Sequence, residues 1–231
     1  MTHARAVLSI VVATILCVCA AAAPLSFDFS RYDESAWVPV REGRFPSAGA
    51  FVQEEGCIAT AIPEGTSAED LLKAKGGVGF AMRLLKGVEA RDGRAEVELM
   101  LFDNAAPSIA FRVQPGEGEV HGALYNLVIL NQSNATRTYE GVNLWKWTPP
   151  SDGAPGKWQK IAYWFLPIPR EERIKLGVDF RGDLMRVFVG DKEVGGVRDA
   201  AALGAGGIGF VAIEGPCRFY SFTFTPADAG K

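Results

Sequence analysis

Trp145 and Trp147 stand two positions apart in the stretch Asn143-Leu144-Trp145-Lys146-Trp147. On a β-strand, side chains two apart share one face at a spacing of about 7 Å. Two exposed indoles in a row form a platform on which the apolar faces of successive sugar rings can stack. Asn126, Asn143, Arg112 and Gln114 offer hydrogen-bonding groups nearby, and aromatic faces with a few convergent polar groups are what a small saccharide site needs. The plainer reading has one or both indoles filling the core or its edge. Both readings stand on these residues alone.

A second set of residues suits acid–base work. Glu96 and Glu98 alternate with Val97 ahead of Asp103, and a retaining pair of carboxyls would lie about 5 Å apart. Met100 stands where a partner acid would be needed, and a solvated strand face explains the same alternation. Glu140 is a further acid–base candidate. His121 follows the glycine-rich acidic loop from Pro115 to Glu119; it reads either as a general base or as a surface-loop histidine. No cysteine–histidine spacing matches a zinc site. Asp103, Asn104 and Asp152 are oxygen donors of the kind calcium accepts, but they are scattered, without calcium-loop spacing. No metal and no cofactor is assigned.

Such groups need elements to position them, and this chain is written in strands and tight turns. Ile174, Leu176, Val178 and Phe180 alternate with Lys175, Gly177, Asp179 and Arg181, the period-two pattern of a half-buried strand. Arg181-Gly182-Asp183 is a turn signal; Met185, Val187 and Val189 restart the alternation, and Gly190-Asp191-Lys192 closes it. Upstream, Ala95, Val97, Leu99 and Leu101 share one face. Ile109, Phe111 and Val113 share another, with Ala110, Arg112 and Gln114 opposite. Tyr125, Leu127 and Ile129 oppose Asn126 and Val128. Residues 51–62 read as a hairpin around Glu55-Gly56, and residues 63–77 as a loop with at most one helical turn, begun at Thr66 or Ser67. Asn131 and Asn134 each open a glycosylation sequon, which places residues 131–138 on an exposed loop. Roughly a dozen short strands without an interior linker predict one all-β domain, a two-sheet antiparallel sandwich.

The first 22 residues stand apart. A short basic segment from Met1 to Arg5 precedes an apolar run to Ala20, and Ala20-Ala21-Ala22 offers a small-x-small cleavage site. This pattern is that of a secretory signal peptide, leaving a single domain over residues 23–231. The expected location is secreted, extracellular or periplasmic, with no membrane association once the leader is cut. The 24 basic against 27 acidic residues give a net charge of −3, so nucleic acid finds no electrostatic footprint here.

The order of "GKW", a strand, "GDLMRVFVGDKEV", "GGIGF" and a final aromatic strand resembles the laminin-G-like, concanavalin A-type jelly rolls. From about Phe102 to Phe224, "PSIAFR", "LYNLVI", "PGKWQKIAY" and "GGIGFVAIEGPCRFYSFTF" resemble the secreted 3-keto-disaccharide hydrolase-like domains. The resemblance carries over Arg112. Asn126 replaces that family's acid, and Ile213-Glu214 stand near the place of its histidine. Three functions follow as expectations. The first is a carbohydrate-binding module using Trp145 and Trp147, with carbohydrate as its partner. The second is a glycosidase in which Arg112 positions substrate and Glu98, Glu140 or His121 moves protons. The third is a protein-interaction domain. In such jelly rolls the first and last strands lie side by side, which implies a Cys57–Cys217 disulfide in an exported chain; two separately buried thiols are the other reading. Oligomeric state stays open.

Overall fold

The computed structural model describes residues 23–43, 48–61, 81–102, 105–134, 137–151, 154–213 and 215–227. The leader, the loop expected at 63–77, and Asp103, Asn104 and Asp152 lie outside the described residues. Short strands come first: β1 (Leu25–Asp28), β2 (Trp37–Val40), β3 (Phe51–Glu54), β4 (Cys57–Thr60) and β5 (Ala81–Leu85). Longer ones follow as β6 (Gly93–Leu101), β7 (Ser108–Val113), β8 (Leu124–Asn134), β9 (Arg137–Thr148) and β10 (Lys157–Trp164). The last are β11 (Ile174–Arg181), β12 (Leu184–Val189), β13 (Lys192–Arg198), β14 (Gly207–Ala212) and β15 (Cys217–Pro226).

Two antiparallel sheets result. The first runs β13-β12-β11-β6-β15-β4-β3, with β1 also on β15; the second runs β10-β9-β8-β7-β14-β5-β2. Period-two alternation decides what lies between them. Val97, Leu99, Val178, Phe180, Phe219 and Phe222 of the first sheet face Ile109, Phe111, Leu127, Leu144, Ile208 and Phe210 of the second. Each buried Phe, Leu or Ile is worth about 1.5–3 kcal/mol relative to exposure. Trp37 seals one end of this core edge-on, with centroids 4.9 Å from Phe210 and 5.5 Å from Phe222.

Arg112 departs from its expected place on the outer face. In β7 the pairing steps from Ala110↔Gly209 to Val113↔Gly207, so one extra residue is accommodated, and Arg112 takes φ +49°. A bulge of this kind shifts the parity of every following side chain. Val113 moves to the outer face with Leu124 and Val211, and Arg112 turns under the sandwich, fully buried. Its Nε donates to the Arg91 carbonyl at 2.7 Å, and its Nη2 to the Gly182 carbonyl at 2.7 Å and to Asp92 at 3.3 Å. Arg112 thus clasps the second sheet to two turns of the first. Gln114, two residues on, donates to the carbonyls of Arg112 and Ala205, both at 3.0 Å.

The expected disulfide is absent: Cys57 and Cys217 are both free and buried. Their strands do lie side by side, but Ala59 pairs with Arg218 and Ile58 with Phe219. That register sets Cys217 opposite Thr60, three residues from Cys57, or about 10 Å along the strand. A disulfide requires Cα atoms within about 7 Å. The two side chains also leave opposite faces, since Ile58 and Cys217 both point into the core and Cys57 is next to Ile58. Burial pushes the Cys217 thiol up to about 12. The sequon stretch is likewise corrected. β8 continues to Asn134 and β9 begins at Arg137, so a hairpin stands where a loop was expected. Asn131 is buried; its Nδ2 donates to the Ile168 carbonyl and its Oδ1 accepts from Arg170.

Candidate functional site

The outer face of the second sheet is laid out in rows across its strands. One row runs Val40, Met82, Val211, Ser108, Val128, Asn143, Tyr163. The next runs Val38, Leu84, Gly209, Ala110, Asn126, Trp145, Lys160. Beyond it, Leu124, Trp147 and Trp158 lie abreast on β8, β9 and β10. Trp145 and Trp147 therefore share the outer face in successive rows, and both are half-buried.

The two indoles have different surroundings. Trp147 packs against Trp158, with centroids 5.3 Å apart, and meets the His121 ring edge-on at 6.4 Å. It belongs to a small outer cluster with Val113 and Leu124. Trp145 lies between Asn126 and Lys160. The Lys160 ammonium sits 4.9 Å from the Trp145 ring centroid and 5.5 Å from that of Tyr163. Tyr163 is 40 % exposed, and Phe165, just past the strand end, is 69 % exposed. The Tyr163 hydroxyl donates to the Glu140 carbonyl at 2.7 Å. Sequence reasoning missed Lys160 and Tyr163 because a bulge between Lys160 and Ala162 interrupts the β10 alternation.

Asn126 and Asn143 are on this face as its floor. Each is 3 % exposed, and Ser108 beside them is fully buried. The Asn126 Oδ1 and Ser108 Oγ atoms have no hydrogen-bond partner, an arrangement that costs about 1–3 kcal/mol per group. A ligand or water reaching the floor would find acceptors there.

On the opposite side of β9, Lys146 points away from the tryptophans and pairs with Asp199 at 2.7 Å. The Tyr125 hydroxyl donates to the same carboxylate at 2.5 Å. Burial raises the Asp199 carboxyl, but hydrogen bonds from Lys146, Tyr125 and the Ala201 N–H outweigh it and hold the pKa below the usual carboxylate value. Burial, reinforced by Asp199, pushes the Tyr125 phenol well above its ordinary range. This knot pins β8 and β9 from behind and so fixes the tryptophan rows.

The acid–base candidates do not converge. Glu98 lies on β6 between Lys175 and Ser221, on the outer face of the other sheet. Glu140 sits at the start of β9 opposite Asn131. Arg112 is the buried clasp described above. His121 is buried rather than on an exposed loop: its backbone N–H donates to the Arg41 carbonyl at 3.2 Å, and its ring Nδ1 lies 2.8 Å from the Gly122 carbonyl. Beside it, the Pro115–His121 loop overhangs a cleft of about 470 Å³ lined by Val38, Leu84, Val113, Glu89 and Glu119. No group of three or more metal-type ligands occurs among the described residues.

No family model and no curated protein matches this sequence. Solved structures do match it in shape. The carbohydrate-binding module CBM66 from Bacillus subtilis aligns with TM-score 0.55 at 15 % identity, over 80 % of this chain and 92 % of that one. A Bacillus licheniformis β-glucanase aligns with TM-score 0.59 at 10 % identity, over 88 % of this chain and 98 % of that one. The κ-carrageenase of Pseudoalteromonas carrageenovora, solved with an oligosaccharide of κ-carrageenan, aligns with TM-score 0.54 at 10 % identity, over 92 % and 99 %. Identities this low speak for the backbone, and on that evidence the chain has the concanavalin A-like jelly-roll fold.

Proposed function

We propose that this chain is an exported carbohydrate-binding module that holds a polysaccharide along β9 and β10. One observation carries the reading: Trp145 and Trp147 stand half-exposed on one face in successive rows, with Tyr163 and Lys160 alongside. Rings spaced about 7 Å apart along a strand suit a ligand made of repeated flat units better than a compact one. Affinity comes from stacking and from displacing water off the indoles.

Binding is favoured over hydrolysis by what these rows contain. Across the two complete rows described above, no position is Asp or Glu, whereas glycoside hydrolysis ordinarily uses two carboxyls flanking the scissile bond. Glu98 is on the wrong sheet to supply one. The leader-like segment supports export, and the absence of a basic footprint supports a partner other than nucleic acid.

Affinity electrophoresis of the mature protein through gels containing single polysaccharides tests this. At least one polymer should retard the protein, and Trp145→Ala should weaken that retention about five- to tenfold, the worth of one aromatic contact. Release of sugar by the purified protein, or retention unchanged by Trp145→Ala, overturns the reading.

A further inference from the structure

Lys160 does more than flank the platform. Its ammonium lies over the Trp145 and Tyr163 rings, at 4.9 and 5.5 Å from their centroids, within the range of a cation–π contact. The side chain is exposed, and its flexible four-carbon stem can swing aside. No carboxylate among the described residues pairs with it. A sugar that stacks on the face of Trp145 covered by this ammonium must therefore move it.

The outcome depends on the charge of the sugar. A neutral ring displaces the ammonium and returns only hydroxyl contacts, so part of its stacking is lost. A ring bearing an anionic group draws the ammonium off the indole into an ion pair, so the displaced contact is replaced. A carboxylate borne on the ring places its oxygens two bonds from a ring carbon, close to an ammonium already seated at the ring face. A sulfate ester places its terminal oxygens three bonds out, so the ammonium must reach further from the ring to meet them. Resting on the polysaccharide reading above, we propose that Lys160 is a selectivity residue, and that the ligand is a carboxylated, uronate-type polysaccharide. Discrimination comes as much from penalising the neutral competitor as from attracting the acid.

The test uses polygalacturonate, its fully methyl-esterified form, dextran sulfate and a neutral β-glucan in affinity gels, with wild type, Lys160→Ala and Lys160→Arg. Wild type should prefer polygalacturonate, less so as NaCl rises. Lys160→Ala should weaken that binding about three- to fivefold, the scale of one exposed ion pair. The same substitution should strengthen binding to the methyl ester about two- to fivefold, because the ring is freed of its cation. Lys160→Arg should keep the wild-type order. A purely structural Lys160 would shift both polymers in the same direction, and that result overturns the inference. Tighter, Lys160-dependent binding of dextran sulfate overturns the carboxylate assignment. Retention on the neutral glucan alone, unaffected by Lys160→Ala, removes the charge selectivity and leaves the binding module intact. No retention on any polymer brings down the binding module itself.

Discussion

Asp199 accepts from two side chains at once, the Lys146 ammonium and the Tyr125 hydroxyl, and its carboxyl is held below its ordinary pKa. A carboxyl depressed by folding contributes stability that is fully present above its unfolded pKa of about 4 and lost as pH falls through the folded value. Asp199→Asn keeps the shape and removes the charge. It should cost about 1.5–3 kcal/mol at pH 7, the range for hydrogen bonds to charged groups. Urea midpoints of wild type and variant should draw together as pH falls below about 4; a gap that stays constant would show that the charge contributes nothing. Arg112 is the other single residue with a large stake. It is fully buried, donating to two carbonyls and to the part-exposed Asp92, and hydrogen bonds made by a charged group are worth about 1.5–3 kcal/mol each.

Strands explain why some of this was legible and some was not. In β6, β11 and β12 the alternation is unbroken, so core and solvent sides follow directly from residue type. The same holds for β9, and Trp145 and Trp147 fall on one face as their spacing requires. The failures sit at irregularities of backbone. The β7 bulge at Arg112 exchanges the faces of Arg112 and Val113, and nothing in the local residue pattern marks it. The three-residue stagger of β4 on β15 separates two cysteines on adjacent strands, and register is a property of the pairing rather than of either strand. Lys160 and Tyr163 were hidden by a second bulge. Close approach supplies a test on this scale. Gly141 has φ +133°, and a Cβ there would lie 2.1 Å from the Trp164 carbonyl oxygen. Gly141→Ala should destabilise by about 1–3 kcal/mol through backbone strain and loosen β10 from β9. Thermal melts would read the first effect, and weaker polysaccharide retention the second. An unchanged melting midpoint would refute the strain.

The molecule as a whole is held by packing rather than by a covalent staple. With Cys57 and Cys217 buried and unpaired, a reductant should leave the thermal midpoint unchanged. Neither thiol should react with an aromatic disulfide reagent until the chain unfolds, and both should react afterwards without reduction. A midpoint that drops with reductant, or thiols missing from the unfolded chain, would restore the bridge. The strand order has a temporal consequence too. β15 lies inside the first sheet, between β6 and the β4 and β1 strands, and β14 lies inside the second, between β7 and β5. Each sheet is therefore two unconnected halves until the last tenth or so of the chain arrives. Pairings so distant in sequence form slowly, and a nascent chain folds only what has already emerged. Until Gly207–Pro226 is made, neither sheet can close, so the sandwich core is completed only on a nearly finished chain.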